Sequence, residues 1–212
     1  TQTRAVPADE MKSSRALLIS LGFGILFILS TLLYNKLAFL SSIPVLIILG
    51  LYPFTKRWTP LCHLYLGFCL SLSPIAASIA LLGTASSASI LIGAALLFWV
   101  SGFDIIYATQ DYSFDKKEGI NSIPSYLGIK KALKVSQISF LIMLGFLGAL
   151  GLLYNLGFFY YLGLIVIAGI LTWEHVSLGK KKDFRSINPV FFTANAWISV
   201  IFLFFVFLDF YA

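Results

Sequence analysis

Charge is the scarcest feature of this sequence. Only 11% of its 212 residues are Asp, Glu, Lys or Arg, whereas 59% are hydrophobic. A soluble domain has about 25% charged residues, so this chain has too few to cover a surface exposed to water. We therefore expect a membrane protein. Its formal net charge of +6 is better explained by basic cytoplasmic loops than by nucleic-acid binding.

Cysteine is scarce as well. The two cysteines, Cys62 and Cys69, lie seven apart in an apolar stretch, and there is no C-x-x-C pair. This spacing argues against a disulfide framework or a zinc site. We expect both residues to be buried, reduced thiols. The polar segment 1–15 also lacks the apolar centre of a signal peptide.

Long apolar runs make up most of the remaining chain. Runs of about 17–25 residues cross a bilayer as helices. The sequence therefore predicts an all-α, multi-span transmembrane bundle that forms a single domain over residues 1–212. The seven predicted spans are Ala16–Leu33, Leu37–Leu51, Leu61–Leu82, Ala88–Phe103, Leu133–Leu153, Phe158–Trp173 and Val190–Phe210.

The Lys and Arg positions provide an independent check on these spans. If the connectors alternate between two sides, one side receives only Lys36. Cytoplasmic loops are enriched in positive charge, so we predict a multi-pass protein of the inner or plasma membrane with Thr1 in the cytoplasm. The cytoplasmic set is Arg4, Lys12, Arg15, Lys56, Arg57, Lys116, Lys117, Lys130, Lys131, Lys134, Lys180, Lys181, Lys182 and Arg185.

Ionisable residues are absent from the middle of every predicted span. Channels and ion-coupled carriers usually place such groups there, because a charge at the bilayer centre is costly and is kept for function. Asp104 and Glu174 instead lie at the predicted cytoplasmic ends of their spans. We therefore expect the chemistry, and the active site, at the cytoplasmic face.

Three aspartates are spaced regularly in the connector 104–128. In a continuous helix, Asp111 and Asp115 would each lie roughly 20° from Asp104, which forms one acidic stripe. Like charges at this spacing repel, and a bound cation would relieve the repulsion. Mg²⁺ prefers carboxylate oxygens and commonly bridges a protein to phosphate. The alternative is a solvated loop whose acids pair with Lys116 and Lys117.

The same connector contains a longer pattern, D-x-x-Y-A-x-x-D-x-x-x-D-x-x-x-G-I-x-S, which runs from Asp104 to Ser122. This pattern resembles the second aspartate-rich motif of the UbiA-type intramembrane aromatic prenyltransferases. Residues 52–57 look like the Y-P-x-x-K-R segment of that family. Arg4 and Pro7 are similar to the R-P-x-P-type tail that follows its first motif.

The resemblance implies transfer of a polyprenyl chain from a polyprenyl diphosphate to a ring carbon of an aromatic acid in quinone biosynthesis. Mg²⁺ would be the cofactor, and the bilayer would surround the reaction. Simple anchoring at the membrane surface is the alternative role for Lys56 and Arg57. The family resemblance assigns catalysis to Asp104, Tyr107 and Tyr52, diphosphate binding to Lys56, Arg57 and Arg4, and metal binding to Asp111 and Asp115.

Two acceptors remain open. The Y-P-x-x-K-R segment and the motif are most similar to the 4-hydroxybenzoate enzymes. The C-terminal segment instead resembles a subgroup associated with a futalosine route to menaquinone, for which a dihydroxynaphthoate is expected. His175 alone is more typical of an interfacial histidine than of a catalytic one. The residues behind this second resemblance are Glu174, His175, Asn188, Phe191, Phe192, Thr193 and Asn195.

The family also has nine spans and a first motif, N-D-x-x-D-x-x-x-D, between the second and third. This chain begins just after the place where that motif would end. We therefore expect the 212 residues to be inactive without that part. The competing classes are a transporter or lipid-handling protein, which would need a polar path across the bilayer, and a structural membrane subunit, which would leave the aspartates unexplained.

Overall fold

The computed structural model describes residues 12–179 and 189–212, with the backbone alone for 179 and 189–194. Every element in these residues is an α-helix, which confirms the all-α prediction. The helices are α1 (Ser13–Thr31), α2 (Lys36–Trp58), α3 (Cys62–Leu82), α4 (Ser87–Ala108), α5 (Tyr112–Lys117), α6 (Ile123–Leu127), α7 (Ile129–Leu153), α8 (Phe158–Gly179) and α9 (Pro189–Tyr211).

Six of these helices, α1, α2, α3, α4, α7 and α8, are long and apolar enough to cross a membrane. In α9 the apolar part with described side chains is Asn195–Tyr211, which is slightly shorter than an average span. The seventh span therefore stays a prediction. Exposed leucines and phenylalanines cover these helices, as expected where the surrounding solvent is lipid.

Several helices, α2 and α4 among them, extend further toward the predicted cytoplasmic side than their apolar runs. α2 continues through Pro53 to Trp58, and α4 continues to Ala108. Hydropathy detects only the part of a helix inside the hydrocarbon, whereas the backbone keeps its hydrogen bonds for another turn or two in the interface. As a result, the Y-P-x-x-K-R segment and Asp104 are both helical.

The long helices pack mainly against their neighbours in chain order. Glycine makes the contact between α3 and α4 close: a β-carbon on Gly67 would lie 2.2 Å from the Leu97 carbonyl oxygen. Between α4 and α7, the Ser136 hydroxyl donates to the Gly102 carbonyl oxygen at 2.7 Å. Small residues and interhelical hydrogen bonds of this kind hold helices together in lipid, where the hydrophobic effect is weak.

Polar side chains close the end of the bundle where α1 ends and α2 begins. Asn35 accepts a hydrogen bond from the Ala38 amide and donates to the Ile79 carbonyl oxygen of α3. The Tyr154 hydroxyl accepts from the Ala88 amide at the start of α4.

The start of α8 lies at the same end of the bundle. There the Asp209 carboxylate accepts from the amides of Gly157 and Tyr160. These contacts satisfy helix ends that would otherwise have unpaired donors.

Both cysteines are free and buried, as predicted. Cys62 is the first residue of α3, at the opposite end of the bundle from Asn35 and Asp209. Its thiol lies 3.7 Å from the Asn121 carbonyl oxygen, which brings the connector after α5 onto the start of α3.

Candidate active site

The predicted site residues gather at one end of the bundle. Tyr52, Lys56 and Arg57 lie in the last two turns of α2, and Asp104 and Tyr107 lie near the end of α4. Asp111 directly precedes α5, and Asp115 lies within it. Arg4 is outside the described residues.

The predicted stripe of three aspartates is wrong. α4 ends at Ala108, and a turn through Thr109 and Gln110 separates it from α5. The Thr109 hydroxyl donates to the Ile106 carbonyl oxygen, and such local bonds compete with continuation of a helix. Across residues 12–179 and 195–212, no three His, Cys, Asp or Glu side chains come together to hold a metal.

Asp115 is the most enclosed acid of this region, at 3% exposure. Its Oδ2 atom lies 3.9 Å from Lys56 Nζ, and no described group donates a hydrogen bond to that oxygen. Lys56 is more exposed, at 37% for its side chain. The contact joins α5 to the end of α2. It differs from the alternative prediction, in which Lys116 and Lys117 neutralise the acids.

The loop between α5 and α6 is fastened to the end of α2. The Asn121 amide donates to the Lys56 carbonyl oxygen at 3.0 Å, and its side chain donates to the Arg57 carbonyl oxygen at 3.3 Å. Gly119 has a φ of +65°, a left-handed conformation that glycine adopts without a steric penalty. The loop can therefore reverse sharply, with Asp115 against α2 before it and Ile123 against α3 after it.

Asp104 forms a contact that the sequence did not reveal. Its Oδ2 atom lies 2.7 Å from Nδ1 of His63, the second residue of α3. His63 is fully buried, and its Nε2 accepts a hydrogen bond from the Ile123 amide at 3.3 Å. The two residues are 41 positions apart, so only the packing of α3 against α4 brings them together.

The other predicted site residues are more exposed. Asp111 is exposed, and its backbone carbonyl oxygen accepts from the Asp115 amide. Tyr107 is 44% exposed, and Tyr52 is partly buried on α2, one helical turn before Lys56. The Arg57 guanidinium lies 5.8 Å from the centre of the Phe54 ring. Arg57 is exposed to solvent.

A second polar cluster joins α4, α8 and α9. Glu174 Oε1 accepts a hydrogen bond from the Asn195 side chain at 3.0 Å, and Asn195 accepts one from the Trp99 indole at 3.3 Å. Glu174 is 2% exposed, and its Oε2 has no described partner. His175 is also buried, and its ring lies nearly perpendicular to that of Phe140 with the ring centres 5.4 Å apart. Asn188 lies outside the described residues, as do the side chains of 191–193.

The helices also border an apolar cavity. A cavity of about 130 Å³ is lined by Trp99 of α4, Met143 of α7, Ile167 of α8 and Phe202 of α9, among others. Trp99 therefore contacts both this cavity and the Glu174 cluster. A cavity with this lining suits a hydrocarbon group.

The fold and the site define an integral, multi-pass membrane protein with acidic and basic side chains assembled at one end of a helical bundle. Residues 1–196 match the model of the UbiA prenyltransferase family, so the chain belongs to that family. The resemblance found in the aspartate-rich pattern is thereby confirmed.

Curated relatives match over part of their length. The 4-hydroxybenzoate octaprenyltransferase of Nitrosomonas eutropha (strain DSM 101675 / C91 / Nm57) is 35% identical over 122 residues, 58% of this chain and 43% of the relative. The protein of that name from Neisseria meningitidis serogroup B (strain ATCC BAA-335 / MC58) is 33% identical over 58% of this chain and 41% of its own length. The matches thus span less than half of these relatives.

Two solved structures share the fold. The apo structure of a UbiA homolog from Aeropyrum pernix K1 superposes with a TM-score of 0.83 at 28% identity, covering 98% of this chain and 76% of that one. A structure from work on digeranylgeranylglyceryl phosphate synthase has a TM-score of 0.71 at 18% identity, covering 98% and 73%. The second likeness concerns the fold alone.

Proposed function

We propose that this protein transfers a polyprenyl chain from a polyprenyl diphosphate to a ring carbon of an aromatic acid in quinone biosynthesis. The observation that carries the proposal is the pairing of buried Asp115 with Lys56 at the end of α2. Family membership and the names of the relatives support the reaction class. We further propose that this end of the bundle faces the cytoplasm, since the basic residues lie there.

The diphosphate end of the substrate is proposed to bind between α2 and α5. Lys56 is close enough to Asp115 to be held by it, yet partly exposed, so its ammonium group can also reach a phosphate oxygen. Arg57 follows in the same turn, and Arg4 is a third candidate outside the described residues. A lysine supplies a point charge, and an arginine supplies a two-pronged donor for phosphate.

A divalent cation, Mg²⁺ in our proposal, fits this region on one specific observation. The buried Oδ2 of Asp115 accepts no hydrogen bond from a described group, so a lone pair remains for a ligand. Asp111, one helical turn earlier, would supply a second carboxylate. Two carboxylates plus phosphate oxygens and water are a usual Mg²⁺ environment. When bound, the cation would neutralise the diphosphate and make it a better leaving group.

Loss of diphosphate would leave an allylic cation that water would quench. The bilayer and the apolar interior exclude water from the reacting carbon. Tyr52 and Tyr107 are proposed to stabilise the cation through their ring faces, because each lies on a helix that also carries a charged site residue. Asp104 is proposed to orient the aromatic acceptor by accepting a hydrogen bond from the acceptor's ring hydroxyl.

The acceptor is proposed to be 4-hydroxybenzoate, in line with the names of the relatives. A dihydroxynaphthoate is the second candidate. It is favoured by the contact between Glu174 and Asn195, two residues of the C-terminal pattern. A buried carboxylate oxygen without a described donor, Glu174 Oε2, could accept a hydrogen bond from a second hydroxyl group.

The proposal is tested by a transfer assay in membranes that contain the full-length gene product. Radiolabelled prenyl diphosphate is supplied with each acceptor, with Mg²⁺ or with a chelator. We expect labelled product with one acceptor and none with chelator or with Asp115→Ala. Undiminished transfer in the presence of chelator, or no transfer to either acceptor, would refute the proposal.

A further inference from the structure

We propose that His63 is a positioning residue for prenyl transfer: it holds the Asp104 side chain in the orientation that accepts a hydrogen bond from the substrate's ring hydroxyl. The inference rests on the proposed function and adds a residue that the sequence pattern did not contain. Its basis is the buried set of hydrogen bonds that joins α3, α4 and α6 through one imidazole ring.

The His63 ring is fixed on both sides. Nδ1 lies 2.7 Å from Asp104 Oδ2, and Nε2 lies 3.3 Å from the Ile123 backbone nitrogen. The main chain of His63 is also held, because its carbonyl oxygen accepts from the Ser101 hydroxyl at 3.2 Å. The ring has zero exposure, so water does not compete with Asp104 and Ile123 for its two nitrogens.

The partners decide the protonation of the ring. A backbone amide can only donate, so Nε2 must contribute a lone pair to Ile123. The proton of a neutral imidazole then lies on Nδ1, where it donates to Asp104. This arrangement makes Oδ2 of Asp104 the acceptor of that hydrogen bond and so fixes the orientation of the carboxyl group.

The same geometry excludes His63 as the base that removes a proton from the substrate. Both ring nitrogens are used inside the protein, and the side chain is buried. Asp104 is different, because its side chain is 18% exposed and only Oδ2 is used by His63. His63 therefore acts through Asp104, whose Oδ1 accepts no hydrogen bond from a described group and is proposed to face the acceptor.

Two substitutions separate these roles. His63→Asn places an amide nitrogen near the position of Nδ1 and keeps a donor to Asp104, but it loses the acceptor for Ile123. His63→Gln extends to the position of Nε2 and keeps that acceptor, but it loses the donor to Asp104. We expect His63→Gln to lower kcat roughly 10- to 100-fold, as loss of a positioning hydrogen bond does, with the KM for prenyl diphosphate unchanged.

The order of the variants is the decisive measurement. We expect His63→Asn to be the more active variant and His63→Gln to have the higher Tm. The reverse order of activity, or activity that falls in parallel with Tm, would overturn the proposal. Asp209→Asn is the matched control, because Asp209 is a hydrogen-bonded carboxylate at the other end of the bundle; it should change Tm without changing kcat.

If both His63 variants are less stable than the unsubstituted protein, a double-mutant cycle still tests whether His63 acts through Asp104. In an Asp104→Asn background, His63→Gln should cause little further loss of kcat, because its partner is already altered. If His63→Gln lowers kcat by the same factor in the Asp104→Asn protein as in the unsubstituted protein, the two residues act independently. That result would overturn the role of His63 although the unsubstituted protein transfers the prenyl chain. Absence of transfer by the parent protein would instead refute the proposed function, and the role of His63 with it.

Discussion

Asp115 is unusual at the scale of single residues because its burial is poorly compensated. A buried carboxylate normally accepts several hydrogen bonds or pairs closely with a cation. Here Oδ2 has only Lys56 at 3.9 Å among the described groups. A buried carboxylate with so few partners lowers the stability of the fold. It favours substrate binding, because a bound substrate and its cation can supply the missing partner of Oδ2.

The first prediction concerns Asp115 itself. Asp115→Asn removes a buried charge, so we expect prenyl transfer to fall by more than about 100-fold while Tm falls by no more than a few degrees. Thermal unfolding in detergent and the transfer assay measure the two effects. Asp209→Asn should give the opposite pattern, since Asp209 stabilises the start of α8 through two amides. A large loss of Tm for Asp115→Asn would mean that the acid is structural.

The second prediction concerns Lys56. Lys56→Met keeps the length of the side chain and removes its charge, so we expect the KM for prenyl diphosphate to rise about tenfold or more. It should also lower Tm, because Asp115 would then be buried without a cation. Adding Asp115→Asn should recover part of that stability.

Lys131→Met provides the control for net charge, because Lys131 is an exposed basic residue at the start of α7. We expect its KM to match that of the parent protein. An equal rise in KM for both variants would indicate general attraction of the diphosphate to a basic surface, and it would contradict a specific site at Lys56.

At the scale of helices, the site depends on how closely α3 approaches α4. Gly67 lies one helical turn after His63, and its α-carbon faces the backbone of α4 at Leu97. Ser101 lies one turn beyond Leu97 and donates to the His63 carbonyl oxygen. Gly67 therefore permits the close approach of α3 to α4 that brings His63 and Asp104 together.

The third prediction follows from this contact. Gly67→Ala would place a β-carbon 2.2 Å from a backbone oxygen, which side-chain rotation cannot relieve, so α3 and α4 must separate. We expect a loss of about 1–3 kcal/mol in stability and a loss of transfer. Gly145→Ala in α7 is the control, because a β-carbon added there would have no neighbouring described atom within 4 Å. It should leave Tm equal or slightly higher. Equal effects of the two substitutions would contradict close α3–α4 packing.

Sequence alone predicted the helices well and the site only in part. Hydropathy located the long helices because each has one apolar run, and the family pattern identified Asp104, Asp111 and Asp115. The helical-spacing argument missed the break after Ala108, because it assumes a continuous helix and cannot detect a turn at Thr109. It also missed His63, because a contact between residues 41 positions apart depends on packing. A histidine close to a basic helix end was the one sequence signal that could have pointed to it.

At the scale of the whole molecule, the two ends of the bundle have different structures. One end has short connectors whose helix ends are closed by Asn35, Tyr154 and Asp209. The other end carries α5, α6 and the pairs Asp115–Lys56 and Asp104–His63. All described Lys and Arg residues except Lys36 also lie at this second end. An end with short, hydrogen-bonded connectors and a charged end with longer loops suit a site that admits substrate from one side of a membrane.

The fourth prediction tests this polarity directly. We expect Lys117→Cys, in the exposed end of α5, to react with a membrane-impermeant maleimide only after the cells are opened. Ala85→Cys, in the short connector between α3 and α4, should react in intact cells, because positive loops stay in the cytoplasm. The native cysteines are buried, so the unsubstituted protein provides the background. Labelling of both positions from one side would refute the alternating spans, and the reverse pattern would place the Asp115–Lys56 site outside the cell.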